Sequence, residues 1–316
     1  MTRVFPSAPS HLRPRSSWLL ALAVALGAAS GGLAQETATI EKGGGTLAIT
    51  FAGPTTPEFR QLTLDWISRA AQAVTVYYGR YPVRRVDITV TPVAGRRVGP
   101  GRASGEGGPN IHVTVGTAAT AQGLATGRDN WLVTHEMVHL ALAGVEEEHH
   151  WLEEGLATYV EPIARVRAGE LTARQVWGDM VEGLPQGEPA PGDLGLDHTP
   201  TWGRTYWGGA LFCLLADVEI RKETHNRKGL EDALRGIVAA GGTIDQDWGI
   251  ARVLKVGDAA IGLPILERQY DAMKASPAPV DLPALWKQLG VEVSPGAVVL
   301  RDDAPLAGIR QAIMRP

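Results

Sequence analysis

The chain has 316 residues, with 30 basic against 34 acidic side chains and a formal net charge of −4 when histidine is neutral. An acidic balance argues against a nucleic-acid partner, and it deepens to about −7 once residues 1–34, which carry Arg3, Arg13 and Arg15 and no acid, are set aside. Cys213 is the only cysteine and lies in the apolar run Leu211-Phe-Cys-Leu-Leu215, so no internal disulfide forms and the thiol is expected to pack as a small hydrophobe.

Residues 1–34 read as a secretory signal: a basic start, an apolar run from Trp18 to Ala29, and the small-residue cleavage site Gly32-Leu33-Ala34 before Gln35. The run is too short to span a bilayer alone. An exported chain, periplasmic or extracellular, with no stable membrane span after cleavage is therefore expected. What remains is long enough for two lobes around a cleft.

In chain order, residues 44–53 predict a strand closed by Gly53-Pro54. Residues 56–81 carry Leu62, Trp66, Ile67, Ala70, Val74, Tyr77 and Tyr78 at helical spacing, with Pro57 in the first turn and Pro82 past the end. Alternation predicts strands at 85–90 and 111–115, and the Gly/Arg-rich stretch 95–108 between them reads as a mobile loop. Residues 131–143 are apolar almost all round and predict a buried helix. Gly144 reads as its C-cap, followed by a solvated acidic turn at 146–150. Helices are then expected at 151–161, ended by Pro162, and at 170–182, 205–223, 228–239, 262–275 and 282–289. A long Pro/Gly loop, 183–203, is a candidate wall of the cleft. The organisation expected is α+β: a lobe of small mixed sheet and active-site helix at 35–145, a mainly helical lobe at 146–290, and a packing tail at 291–316.

Two motifs carry chemistry. In His135-Glu136-Met-Val-His139 the histidines stand four apart, so on a helix they project from one face and can share a metal, while Glu136 is rotated by about 100° and suits contact with water instead. Three polar groups in so apolar a helix are costly unless partnered, and a divalent ion partners all of them. Zinc needs a third protein ligand. Candidates are Glu146 to Glu148, His149, His150, Glu153 and Glu154; on the next helix Glu154 shares its stripe with Glu161, whereas Glu153 shares its stripe with Leu156 and Val160, which favours Glu154.

His135-Glu136-x-x-His139 followed by Trp151-Leu-Glu-Glu154-Gly155-Leu-Ala-Thr-Tyr-Val-Glu161 resembles the active site of the gluzincin metallopeptidases, the clan of thermolysin, and most of all its aminopeptidase N and glycyl aminopeptidase branches. The resemblance covers roughly residues 100–220. It implies a two-lobed zincin-like fold with one zinc ion held in the cleft by His135, His139 and Glu154. It implies Glu136 as general base and Glu161 as a support for the ligands. Tyr206-Trp-Gly-Gly209-Ala210 is similar to the branch's Tyr-x-x-Gly-Ala, which implies Tyr206 as oxyanion donor, with His198 the rival because thermolysin uses a histidine. Two departures stand out: the spacing from His139 to Glu154 is shorter than usual, and the Gly-x-Met-Glu-Asn motif is absent, so the edge strand for an extended peptide is expected at 109–115. The function expected is hydrolysis of peptides or proteins, and the alternative is a catalytically inactive, zinc-stabilised binding or scaffold module on the same fold.

Overall fold

A computed structural model describes residues 36–126, 130–294 and 297–316; the signal expected at 1–34 lies outside them. The first element among the described residues is a hairpin whose second strand is the one expected at 44–53 and whose first strand was not expected. Strand β1 (Glu36–Lys42) turns back on β2 (Gly45–Phe51) through Gly43 and Gly44, both at positive φ, as a two-residue hairpin of primed type requires. Helix α1 (Pro57–Tyr78) starts where Thr56 accepts the Phe59 N–H and stops at left-handed Gly79. Three strands follow, β3 (Arg85–Val93), β4 (Val98–Ser104) and β5 (Asn110–Gly116).

The five strands order as β1-β2-β3-β5-β4, with β2, β3 and β5 parallel and both outer strands antiparallel to their neighbours. Alternate residues Leu47, Ile49, Phe51, Val86, Ile88, Val90, Ile111, Val113 and Val115 are buried and join Trp66, Ile67, Ala70 and Val74 of α1 in one apolar core. This corrects two expectations. The stretch 95–108 is not simply a loop, because it contains β4; and 109–115 is not the edge, because β5 is paired on both sides. β4 is held by main-chain hydrogen bonds, with a register shift between Val98 and Gly101, so its Gly/Pro-rich side chains carry no alternating signal.

After α2 (Ala121–Thr126), helix α3 (Leu132–His139) is shorter than the 131–143 expected, and Gly144 is not its cap. Gly144 donates to the Gln246 carbonyl and accepts from Trp248 N–H, each at 2.9 Å, tying the end of the apolar run to a distant loop. Helix α4 (His150–Arg167) runs straight through Pro162 instead of ending there. The proline withholds one helical hydrogen bond, at about 3 kcal/mol in a typical helix interior, but Ile163 and Ala164 beyond it are fully buried and Arg165 is paired with Glu161 and Glu170. Tertiary packing therefore outweighs the local break.

Then come α5 (Ala173–Gly183), a π turn at Arg204–Gly208 leading into α6 (Gly209–Thr224), α7 (Leu230–Ala239), α8 (Ile250–Ile261), α9 (Ile265–Met273) and α10 (Leu282–Leu289). The hairpin β6 (Val291–Ser294) and β7 (Ala297–Leu300) and helix α11 (Ala307–Met314) complete the chain, with Arg167 of α4 donating to the Ile313 carbonyl at 2.8 Å. No helix among the described residues is long and apolar enough to cross a membrane.

Candidate metal and catalytic site

Helix α3 is buried except at its polar end, and α4 packs against it. That contact brings His135, His139 and Glu154 together, with one ligand atom from each within 4.8 Å of the others. His135 Nε2 lies 3.2 Å from Glu154 Oε2 and His139 Nε2 lies 3.8 Å from it. The two imidazoles stand edge to face, centroids 4.9 Å apart, and Trp131 backs His135 in the same manner at 5.3 Å. A tetrahedral zinc with bonds of about 2.0–2.1 Å sets its ligand atoms roughly 3.3 Å apart, so two nitrogens and one carboxylate oxygen at these separations fit the ion.

The carboxylate and the imidazoles act strongly on one another. Burial alone would push the Glu154 carboxyl up, but the His139 and His135 imidazoles, with His150 adding, hold it down at about 2. Burial likewise works to lower the His135 pKa, and the Glu154 hydrogen bond with the charges of Glu154, Glu136 and Glu161 turns the balance upward. Glu161 is buried, accepts from Arg165 at 2.8 Å, and acts on His135 through its charge.

Glu136, one residue on from His135, is gripped by the edge strand. Its Oε2 accepts the Ala103 N–H at 2.7 Å, and a methyl built on Gly101 would stand 2.9 Å from its Cγ. β4 thus lies directly over Glu136 because glycine leaves the room. Tyr206 comes from the π turn and donates its phenol to Glu154; burial, then the charges of Glu154 and Glu136, push its pKa above the ordinary value. Trp202 stacks on it, centroids 5.7 Å apart. A π turn inserts one residue into the helical register, a device common at functional sites.

The other residues singled out above fall into place. His198 is exposed on the 183–203 loop, whereas Tyr206, half-buried on the π turn, lies beside Glu154. Glu153 pairs with His150 at 3.0 Å and leaves Glu154 to face the histidines. The 146–150 run is solvated as expected at Glu146, Glu147, Glu148 and His150, which are exposed, but Glu146 also accepts the Ile250 N–H at the head of α8, and His149 is buried. His149 sits 3.0 Å from Asp197, which also takes the Trp151 indole N–H at 2.8 Å and the Tyr270 hydroxyl at 2.9 Å, pinning the 183–203 loop to the start of α4. Three contributors escaped the reading of the sequence: Ala103 and Gly101 on β4, and Arg165 behind Glu161. Only Arg165, four residues after Glu161 on one helix, left a local signal.

No protein-family model and no curated protein matches the sequence. Among solved structures, the fold is similar to that of an aminopeptidase N family protein from Idiomarina loihiensis, at TM-score 0.58 and 14% identity, over 83% of this chain and 50% of that one. An M1 zinc metallopeptidase from Deinococcus radiodurans gives TM-score 0.48 at 15% identity, over 78% and 53%. The chain spans about half the length of these structures. Its mixed five-stranded sheet and helical remainder are an aminopeptidase N-like zincin fold.

Proposed function

We propose that this chain is an exported zinc-dependent peptidase acting on peptides or proteins. The observation that carries the reading is the convergence of His135, His139 and Glu154, from two separate helices, on one point. Zinc bound there supplies Lewis acidity toward a carbonyl and toward water. The remaining work falls to the protein's own groups. Glu136, with one oxygen engaged by Ala103, keeps the other to take a proton from the attacking water and return it to the leaving amine. Tyr206, whose raised pKa keeps it protonated, donates to the oxygen on which negative charge develops. Arg165 holds Glu161, which steadies His135 through its charge. The basic start and apolar run of residues 1–34 support export.

The test is metal analysis of the purified protein with cleavage profiling of a mixed peptide library. About one zinc per chain is expected. Glu136→Gln should keep the metal and lose turnover by about 10²-fold or more. A chelator should abolish turnover before it unfolds the chain. Full turnover in Glu136→Gln overturns the base assignment, and a metal-free, inert wild type overturns the reading.

A further inference from the structure

Gly155 and Gly209 lie where α4 crosses the start of α6. A methyl built on Gly155 would sit 2.3 Å from both the Cα and the carbonyl carbon of Gly209, and one built on Gly209 would sit 2.2 Å from the Trp151 carbonyl oxygen and 2.7 Å from Gly155 Cα. All of these neighbours are backbone, so no side chain can swing aside. Glu154 directly precedes one glycine, and Tyr206, on the π turn, precedes the other by three residues. The turn is itself braced by glycine: Gly187 meets the Trp207 backbone, Gly203 meets the Gln186 carbonyl, and Arg204 is locked to Asp193 at 2.8 Å.

On the zinc-peptidase reading above, we infer that Gly155 and Gly209 are positioning residues, whose backbone-to-backbone contact sets the distance between the third metal ligand and the oxyanion donor. The carboxylate of Glu154 and the phenol of Tyr206 belong to separate elements, and this crossing brings the backbones that carry them into contact. The contact is therefore a gauge for the site as well as a packing feature.

The experiment uses the full chain with Gly155→Ala and Gly209→Ala, and Gly236→Ala as control. Gly236 sits in an equally tight crossing, its added methyl 2.3 Å from Ala260 Cβ, between α7 and α8, which carry none of the proposed ligands or catalytic groups. Parting two backbones by about 1 Å can cost on the order of 10² in rate. Gly209→Ala should lower kcat by about that factor with KM little changed, and should cost nothing further in a Tyr206→Phe background, because the two act through one group. Independently of turnover, Gly155→Ala should weaken zinc binding about 10-fold or more in chelator competition, and add nothing to Glu154→Ala. Gly236→Ala should lower the melting temperature and leave kcat and zinc affinity alone. Additive losses with Tyr206→Phe, or wild-type zinc affinity in Gly155→Ala, overturn the inference. Each cycle stands by itself, so if one variant fails to fold the other decides. A wild type that binds zinc but cleaves no peptide sinks the peptidase reading while the zinc cycle still tests the gauge.

Discussion

At the scale of single side chains, the proposed chemistry depends on Tyr206 keeping its proton beside two carboxylates. Burial disfavours the phenolate, and the charges of Glu154 and Glu136 disfavour it further, so the hydroxyl remains a donor throughout the neutral range. Tyr206→Phe removes the hydroxyl with its hydrogen bond to Glu154 and keeps the ring that stacks on Trp202. Its expected effect is a fall in kcat of about 10²–10³, the usual loss for one oxyanion donor, with zinc content unchanged. A variant within a few-fold of wild-type kcat would return the role to another group. Two histidines one turn apart and a glutamate on a stripe are local patterns that the chain itself displays, whereas Tyr206 stood out only through the resemblance to Tyr-x-x-Gly-Ala. Asp197 and His149 were not readable, because 48 residues separate them and their partnership exists only after folding.

At the scale of elements, the edge strand β4 shows what side-chain periodicity cannot reveal. Val98 is its only buried residue; the rest is defined by main-chain pairing with β5 and by its contact with Glu136, neither of which writes a pattern into the sequence. The helices and inner strands with strong periodicity were legible to within a few residues. Helix α8 was overlooked although Ile250, Val253, Leu254 and Ile261 fall at helical spacing, and its head is capped from afar by Glu146. Pro162 misled for the opposite reason, since the break it signals locally is overridden by burial around it. If β4 acts by holding Glu136, then Gly101→Ala, which drives a methyl to 2.9 Å from Glu136 Cγ and 3.0 Å from Oε1, must displace the carboxylate, the strand, or both. We expect a loss of about tenfold or more in kcat, with zinc affinity retained because the ligands come from α3 and α4. Unaltered kcat would show that the strand merely covers the site.

At the scale of the whole molecule, the helical half is tied together by one buried ionic knot remote in sequence from the zinc motif. Glu231 of α7 receives Arg221 of α6 at 2.7 Å and Arg167 of α4 at 3.2 Å, while Arg221 also reaches Asp217 at 2.8 Å and Arg167 reaches the carbonyl of Ile313 in α11. Burial would raise the Glu231 carboxyl, but Arg167 and Arg221 hold it below the ordinary range. Asp217 runs the other way: burial first, and the neighbouring Glu231 charge, push it up against the pull of Arg221. A carboxyl held low contributes stability that is complete above the unfolded value of about 4.3 and is lost as pH falls through the lower folded value. One held high contributes below its unfolded value and loses that contribution as pH rises through its folded value. Glu231 is the group that bridges two arginines, so its loss governs the acid side. Glu231→Gln leaves both guanidiniums short of a charge partner in the interior and should cost about 3–5 kcal/mol at neutral pH. Urea unfolding of both proteins from pH 7 to pH 3 checks this: the wild type should lose stability steeply below about pH 4.3, and the variant, already lacking the pair, should show a shallower slope there. Parallel slopes would mean that carboxylates elsewhere set the acid limit of the fold.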